Sequence, residues 1–135
     1  MELIDTNVLV RVLAQGQPEH AARASRFLEQ VGVGERTATI TEGVFVEVVQ
    51  VLSSKRLYSR PREEIRAFLH AVIELRGLRL PQEALYRRAL DLYVEENIDF
   101  VDALNVAHVE RAHWDAIVSF DRHYRRIASV VSREP

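Results

Sequence analysis

Four carboxylates stand where the surrounding pattern favours another residue type. Asp5 closes the apolar opening Leu3-Ile4. Glu47 interrupts Val44-Phe45-Val46-Glu47-Val48-Val49-Gln50-Val51-Leu52. Asp102 lies within Asp99-Phe100-Val101-Asp102-Ala103-Leu104-Asn105. Asp121 follows Ala116-Ile117-Val118-Ser119. Each has a structural explanation: Asp5 as a helix N-cap, Glu47 on a thin solvent stripe with Gln50, Asp102 with Asp99 in a capping-box-like pair, and Asp121 as a turn residue. Glu47 fits its explanation least well. A helix this apolar is expected to be buried on most sides, and a buried carboxylate needs a partner. Gly43, one turn earlier, leaves open space beside it. Asp102 and Asn105 share a helix face at i, i+3 spacing, so a hard cation can use one as ligand and the other as hydrogen-bonded support.

Taken together the four have a chemical reading. Several carboxylates at one sheet edge raise each other's pKa by repulsion, and a divalent metal removes that conflict. An oxygen-rich donor set in a chain without cysteine favours Mg²⁺ or Mn²⁺ over zinc. Such a metal makes water nucleophilic and stabilises a phosphorane-like transition state.

The elements that must position these acids follow from periodicity and breakers. Residues 1–4 read as a short buried strand whose end meets Asp5, and strand ends of open α/β sheets are where ligands bind. A helix is expected to start at Asp5 and to stop before Gly16 and Pro18. A second is expected over residues 19–31, with Ala22, Ser25, Phe27, Leu28 and Val31 on one face and Gly32 as its stop. Thr37 to Ile40 reads as a strand, and Thr41 as the cap of a helix over residues 42–54. A helix over 61–76 closes at Gly77, and Leu78 to Leu80 is a small strand. Residues 82–96 form an amphipathic helix with Leu85, Ala89, Leu92 and Tyr93 inward, and residues 100–112 another. Residues 116–119 and 129–131 are strands. Short β-branched strands alternating with helices predict an α/β fold, a sandwich with a mainly parallel sheet covered on both faces.

Composition bounds the function. The 135 residues predict one domain, 1–135, and 47% hydrophobic with 28% charged residues argues against disorder. With no cysteine, a disulfide scaffold, a thiolate metal site and a cysteine nucleophile are excluded. A net charge of -2 predicts no generic polyanion binder, so nucleic-acid contact must use local patches. No apolar run is long enough for a membrane helix, and the N-terminus has no secretory pattern. A soluble cytoplasmic protein is the expectation.

On these residues the chain resembles the PIN-domain family of metal-dependent ribonucleases, and within it the VapC-type toxins of toxin–antitoxin pairs. Ile4-Asp5-Thr6-Asn7-Val8-Leu9 resembles the opening strand and first acid. Thr41-Glu42-Gly43-Val44-Phe45-Val46-Glu47-Val48 resembles the helix with the second, Phe100-Val101-Asp102-Ala103-Leu104 the third, and Ile117-Val118-Ser119-Phe120-Asp121 the last. The resemblance implies a Rossmann-like α/β/α sandwich and a Mg²⁺- or Mn²⁺-dependent endoribonuclease. It further implies a homodimer and a small antitoxin partner. It makes Asp5, Glu47, Asp102 and Asp121 metal ligands or holders of ligand waters, supported by hydrogen bonds from Thr6, Asn7 and Ser119. The chain departs from the pattern at His123, where many relatives carry a further acid. That histidine can ligate, donate a proton or touch RNA, but it reads first as an exposed loop residue beside a basic run.

Two other functions compete with this one. Aspartyl-phosphate chemistry also uses a strand-end Asp, but Asn7 stands where a second Asp is wanted, and the only lysine, Lys55, is poorly placed to meet Asp5. The other competitor is a catalytically silent PIN-like module that binds RNA or protein. For RNA contact, two basic clusters carry an aromatic: Lys55, Arg56, Tyr58, Arg60 and Arg62, and then Arg122, His123, Tyr124, Arg125 and Arg126. Arginine pairs with phosphate and tyrosine stacks on unpaired bases. For association, Val46, Val49, Leu69 and Val72 are expected to contribute a two-fold dimer interface.

Overall fold

Gly77 shows how the first strands are held in the computed structural model, which describes residues 1–135. Its N–H donates to the carbonyl of Val31 (2.8 Å), and its own carbonyl accepts from Ala38 N–H (3.0 Å). A Cβ there would run into the carbonyl oxygen of Arg36, so only glycine passes at this point. The next residue, Leu78, bridges Ala38 in parallel. Ala38 lies in β2 (Ala38–Thr39), which pairs in parallel with β1 (Glu2–Leu3), Glu2 opposite Ala38 and Leu3 opposite Thr39.

These strands belong to the first of two structural units, Met1–Pro81 and Gln82–Pro135. The first also contains α1 (Thr6–Ala14), α2 (Pro18–Gly32), α3 (Glu42–Ser53) and α4 (Arg62–Ile73). Pro18 starts α2 at a position where its missing N–H costs nothing. Thr41 caps α3 as expected, its Oγ1 accepting from Val44 N–H at 3.3 Å. Helix α1 packs on α2 and α3, and α3 on α4. The core contains Leu9, Leu28, Val31, Phe45, Val48, Leu52, Ile65 and Leu69.

The second unit contains α5 (Glu83–Glu95), α6 (Phe100–Ala112), a 3₁₀ turn (Arg122–Arg126), and the parallel pair β3 (Ile117–Val118) and β4 (Ser132–Arg133). Helices α5 and α6 pack together, with Leu85, Ala89, Leu92, Ala103, Leu104 and Ala107 buried, and Tyr93 meets Phe100 edge to face at 5.9 Å. Outside, Arg88 grips Glu110 at two points, both 2.9 Å. That grip holds the Glu110 carboxyl below the usual range.

The helix-rich, parallel-stranded α/β character matches the sequence reading, with five local differences. The opening strand, expected to be buried, is exposed at both Glu2 and Leu3, and only Ile4 after it enters the core. The last strand is Ser132–Arg133 rather than 129–131, because Val130 N–H is taken up in a turn to Ile127 and the ladder starts only at the carbonyl of Val131. Leu78 contributes a single bridge, not a strand through Leu80. The inner face of α2 is Ala21, Ala24, Leu28 and Val31, while Ala22 is exposed. Val49, Leu69 and Val72 are buried within the chain and Val46 is half-buried, so the apolar surface assigned to a dimer interface is core. No helix is long and apolar enough to cross a membrane.

Candidate active site

In the first unit, β1 ends at Leu3, and Ile4 plunges into the core. Asp5 then turns the chain into α1 from an extended backbone (φ -88°, ψ 161°). It occupies the N-cap position, yet its side chain makes no capping hydrogen bond, so the carboxylate is not used in starting the helix. Asp5, Thr6, Asn7 and Glu47 line one cavity of about 250 Å³, together with Val10, Arg11, Val51 and Tyr58. Thr6 is buried and Asn7 exposed. The spacing of α1 places Arg11 one turn beyond Asn7, on the same face.

Glu47 corrects the sequence expectation of burial. It is exposed, on a stripe with Gly43 and Gln50, while Val44, Phe45, Val48 and Val49 face inward. The expected open ground beside it is present: a Cβ at Gly43 would meet only Thr41 Oγ1, at 3.9 Å. The solvent stripe and the acidic cavity are thus the same surface. Arg11 was not among the residues singled out from sequence. Tyr58 was, in the first basic cluster, and the structure puts it at the cavity with an accessible ring.

In the second unit the acids are engaged by side chains. Asp102 is the third residue of α6, behind Asp99 at the N-cap, but the Asp99 side chain makes no capping bond. The two oxygens of Asp102 have other partners. Oδ1 accepts from the Tyr124 hydroxyl at 2.8 Å, and Oδ2 lies 3.0 Å from His123 Nε2. Asn105 Nδ2 donates to the same Tyr124 hydroxyl at 3.0 Å, so it supports Asp102 through the tyrosine rather than directly. Burial pushes the Tyr124 phenol up to about 12, which keeps it a donor throughout the neutral range.

Asp121 follows β3 and caps the 3₁₀ turn, its Oδ1 accepting from His123 N–H at 3.5 Å. Its own N–H donates to Ser119 Oγ at 2.9 Å. Asp121 Oδ1 also lies 2.7 Å from His123 Nδ1. One ligand atom each from Asp102, Asp121 and His123 falls within 4.8 Å of the others, a spread that fits a small divalent cation. His123, read first as a loop residue, faces both acids.

The second basic cluster is corrected in part. Tyr124 is buried, 4% exposed, with its hydroxyl committed to Asp102 and Asn105, so its ring is not available to stack on a base. Arg125 pairs with Glu134 at 3.2 Å, and Arg126 reaches the Asn97 carbonyl at 3.4 Å. Arg122 stays exposed beside Asp121. A sequence clue to Tyr124 was present in the i, i+3 pair Asp102 and Asn105, which offers an acceptor and a donor to one hydroxyl.

A family model, PIN domain, matches residues 3–130. A VapC ribonuclease of Aquifex aeolicus (strain VF5) is 24% identical over 127 residues, covering 94% of this chain and 92% of the relative.

Proposed function

The chain belongs to the PIN-domain family, and from that premise we propose that it is a metal-dependent endoribonuclease, the toxin of a toxin–antitoxin pair. The observation that carries the reading is the grouping of the four carboxylates singled out from the sequence. Asp5 and Glu47 line one cavity, and Asp102 and Asp121 converge with His123 within 4.8 Å. Asp5, Glu47, Asp102 and Asp121 are the residues that would hold Mg²⁺ or Mn²⁺. The bound cation supplies an acidified water and positive charge beside the scissile phosphate.

The chain's own residues do the rest. Tyr124, anchored by Asn105, fixes one oxygen of Asp102 so that the other keeps its direction. Ser119 fixes the backbone at Asp121. Thr6 and Asn7 line the cavity beside Asp5, and Arg11 brings a cation there that offsets the acids and attracts the RNA backbone. The exposed ring of Tyr58 offers a stacking face to an unpaired base, and Arg122 a phosphate contact. Water attacks in line and leaves 5′-phosphate and 3′-hydroxyl ends, with no part for the 2′-hydroxyl.

Residues 1–135 act as one PIN-like domain, working in the cytoplasm as a homodimer and held inactive by a small antitoxin protein. The relative named as a VapC ribonuclease supports the RNA substrate and the antitoxin partner. Incubation with single-stranded RNA and Mn²⁺ tests the reaction. Cleavage that stops in EDTA and leaves 5′-phosphates is expected; cleavage in EDTA, or 2′,3′-cyclic phosphate products, refutes the mechanism. Absence of both cleavage and Mn²⁺ binding heat supports a silent binding module instead.

A further inference from the structure

His123 touches both acids of the second unit, and the two contacts are not equivalent. Its Nδ1 is 2.7 Å from Asp121 Oδ1, and its Nε2 is 3.0 Å from Asp102 Oδ2. A neutral imidazole carries one N–H and one lone pair. The shorter contact is with Asp121, whose Oδ1 also accepts the His123 backbone N–H and whose own N–H is fixed by Ser119. The N–H therefore belongs on Nδ1, which turns the Nε2 lone pair toward Asp102. A metal-ligating histidine typically gives its other N–H to a carboxylate, which fixes tautomer and ring plane.

Nε2 and Asp102 Oδ2 then form a pair of electron-pair donors 3.0 Å apart. Adjacent ligand atoms around a six-coordinate ion with bonds of about 2.1 Å are separated by about 3 Å. Asp102 is meanwhile held by Tyr124 through its other oxygen, so Oδ2 is the atom left to share.

We infer that His123 Nε2 is a direct ligand of the catalytic cation, oriented by Asp121, and that it tilts the site away from Mg²⁺ toward first-row transition cations. The inference rests on the metal-dependent reading above. An oxygen-only set suits Mg²⁺, whereas an imidazole nitrogen in place of an acid favours the softer transition ions. Asp121 then orients the histidine through Oδ1 in addition to contributing its charge.

The test uses Mn²⁺ alone as probe on the full chain, with and without ¹⁵N-histidine. Pulsed electron paramagnetic resonance of bound Mn²⁺ should show directly coordinated nitrogen whose coupling changes with the isotope. His123→Asp, which puts a carboxylate in place of the imidazole, should still bind Mn²⁺ but lose that nitrogen signal. The four other histidines make this variant necessary. By calorimetric competition, the Mg²⁺ needed to displace Mn²⁺ should fall by about tenfold in His123→Asp. Bound Mn²⁺ without coordinated nitrogen, or a nitrogen signal that survives His123→Asp, overturns the assignment and leaves the nuclease reading standing. A chain that binds no Mn²⁺ overturns both.

Discussion

The acids of the first unit are placed by backbone, and those of the second by side chains. Asp5 stands where β1 gives way to α1, and Glu47 on the exposed stripe of α3. Their positions follow from two parallel strands, a cap at Thr41 and the passage of chain past Gly77. Asp102 is held by a phenol on one oxygen and faces an imidazole nitrogen with the other, and the phenol is held by Asn105. The difference teaches where each cluster is vulnerable. The first tolerates loss of a carboxylate but not a change of backbone space. The second tolerates little change in the side chains around its acid.

The largest expected effect falls on both clusters alike and separates them only in its side effect. Asp5→Asn and Asp102→Asn should each lower RNA cleavage by more than about 100-fold, the upper range for losing even an outer partner of a metal ligand. Thermal melting in EDTA should then divide them. Asp5→Asn should melt at or above the parent temperature, because it sheds charge at an exposed position. Asp102→Asn should melt lower, because the Tyr124 hydroxyl loses its charged acceptor. A drop in melting temperature for Asp5→Asn would break the comparison.

Gly77→Ala should destabilise the chain by about 1–3 kcal/mol, the usual range for forcing atoms into filled space. The reason is that its Cβ collides with the Arg36 carbonyl, with the Val31 carbonyl 2.7 Å away. Urea unfolding measures it. Gly43→Ala, facing open space, is the control, and an equal loss there would show that the effect is not steric.

Tyr124→Phe should cost about 1.5–3 kcal/mol at pH 7, the worth of a hydrogen bond to a charged group. The pH dependence has a definite sign. The folded-state phenol is raised to about 12, above the ordinary value near 10. Its contribution is therefore complete below pH 10 and is lost as the pH rises toward 12. The gap between parent and Tyr124→Phe should shrink over that window. A gap that stays constant from pH 7 to 12 would mean the hydroxyl is not the source.

The smallest effect sharpens the contrast from the other side. Glu47→Gln should change stability by no more than about 0.5 kcal/mol, as expected of an exposed residue, while abolishing Mn²⁺-dependent cleavage. A large loss in chemical denaturation would mean that Glu47 also holds the fold together.

The order of elements was legible because it depends on local chemistry. Apolar period, caps and breakers act over a few residues, so Thr41, Pro18 and Gly32 marked helix ends within one or two positions of where they fall. The acids were legible because a carboxylate set against an apolar pattern stands out in one dimension. Depth was not legible. Glu47 and Val48 are neighbours in sequence, yet one is exposed and the other buried, and only the packing of α3 on α1 and α4 decides which.

Partnership also required three dimensions. Tyr124 in its basic run looked like a ring for a base, but contacts with residues nearly twenty and more positions earlier turned it into an anchor for Asp102. His123 looked like loop surface for the same reason. Residue type and spacing determined which groups this chain possesses for metal and phosphate chemistry. The tertiary structure decided which of them meet, because a hydrogen bond depends on a separation of about 3 Å that sequence distance does not set.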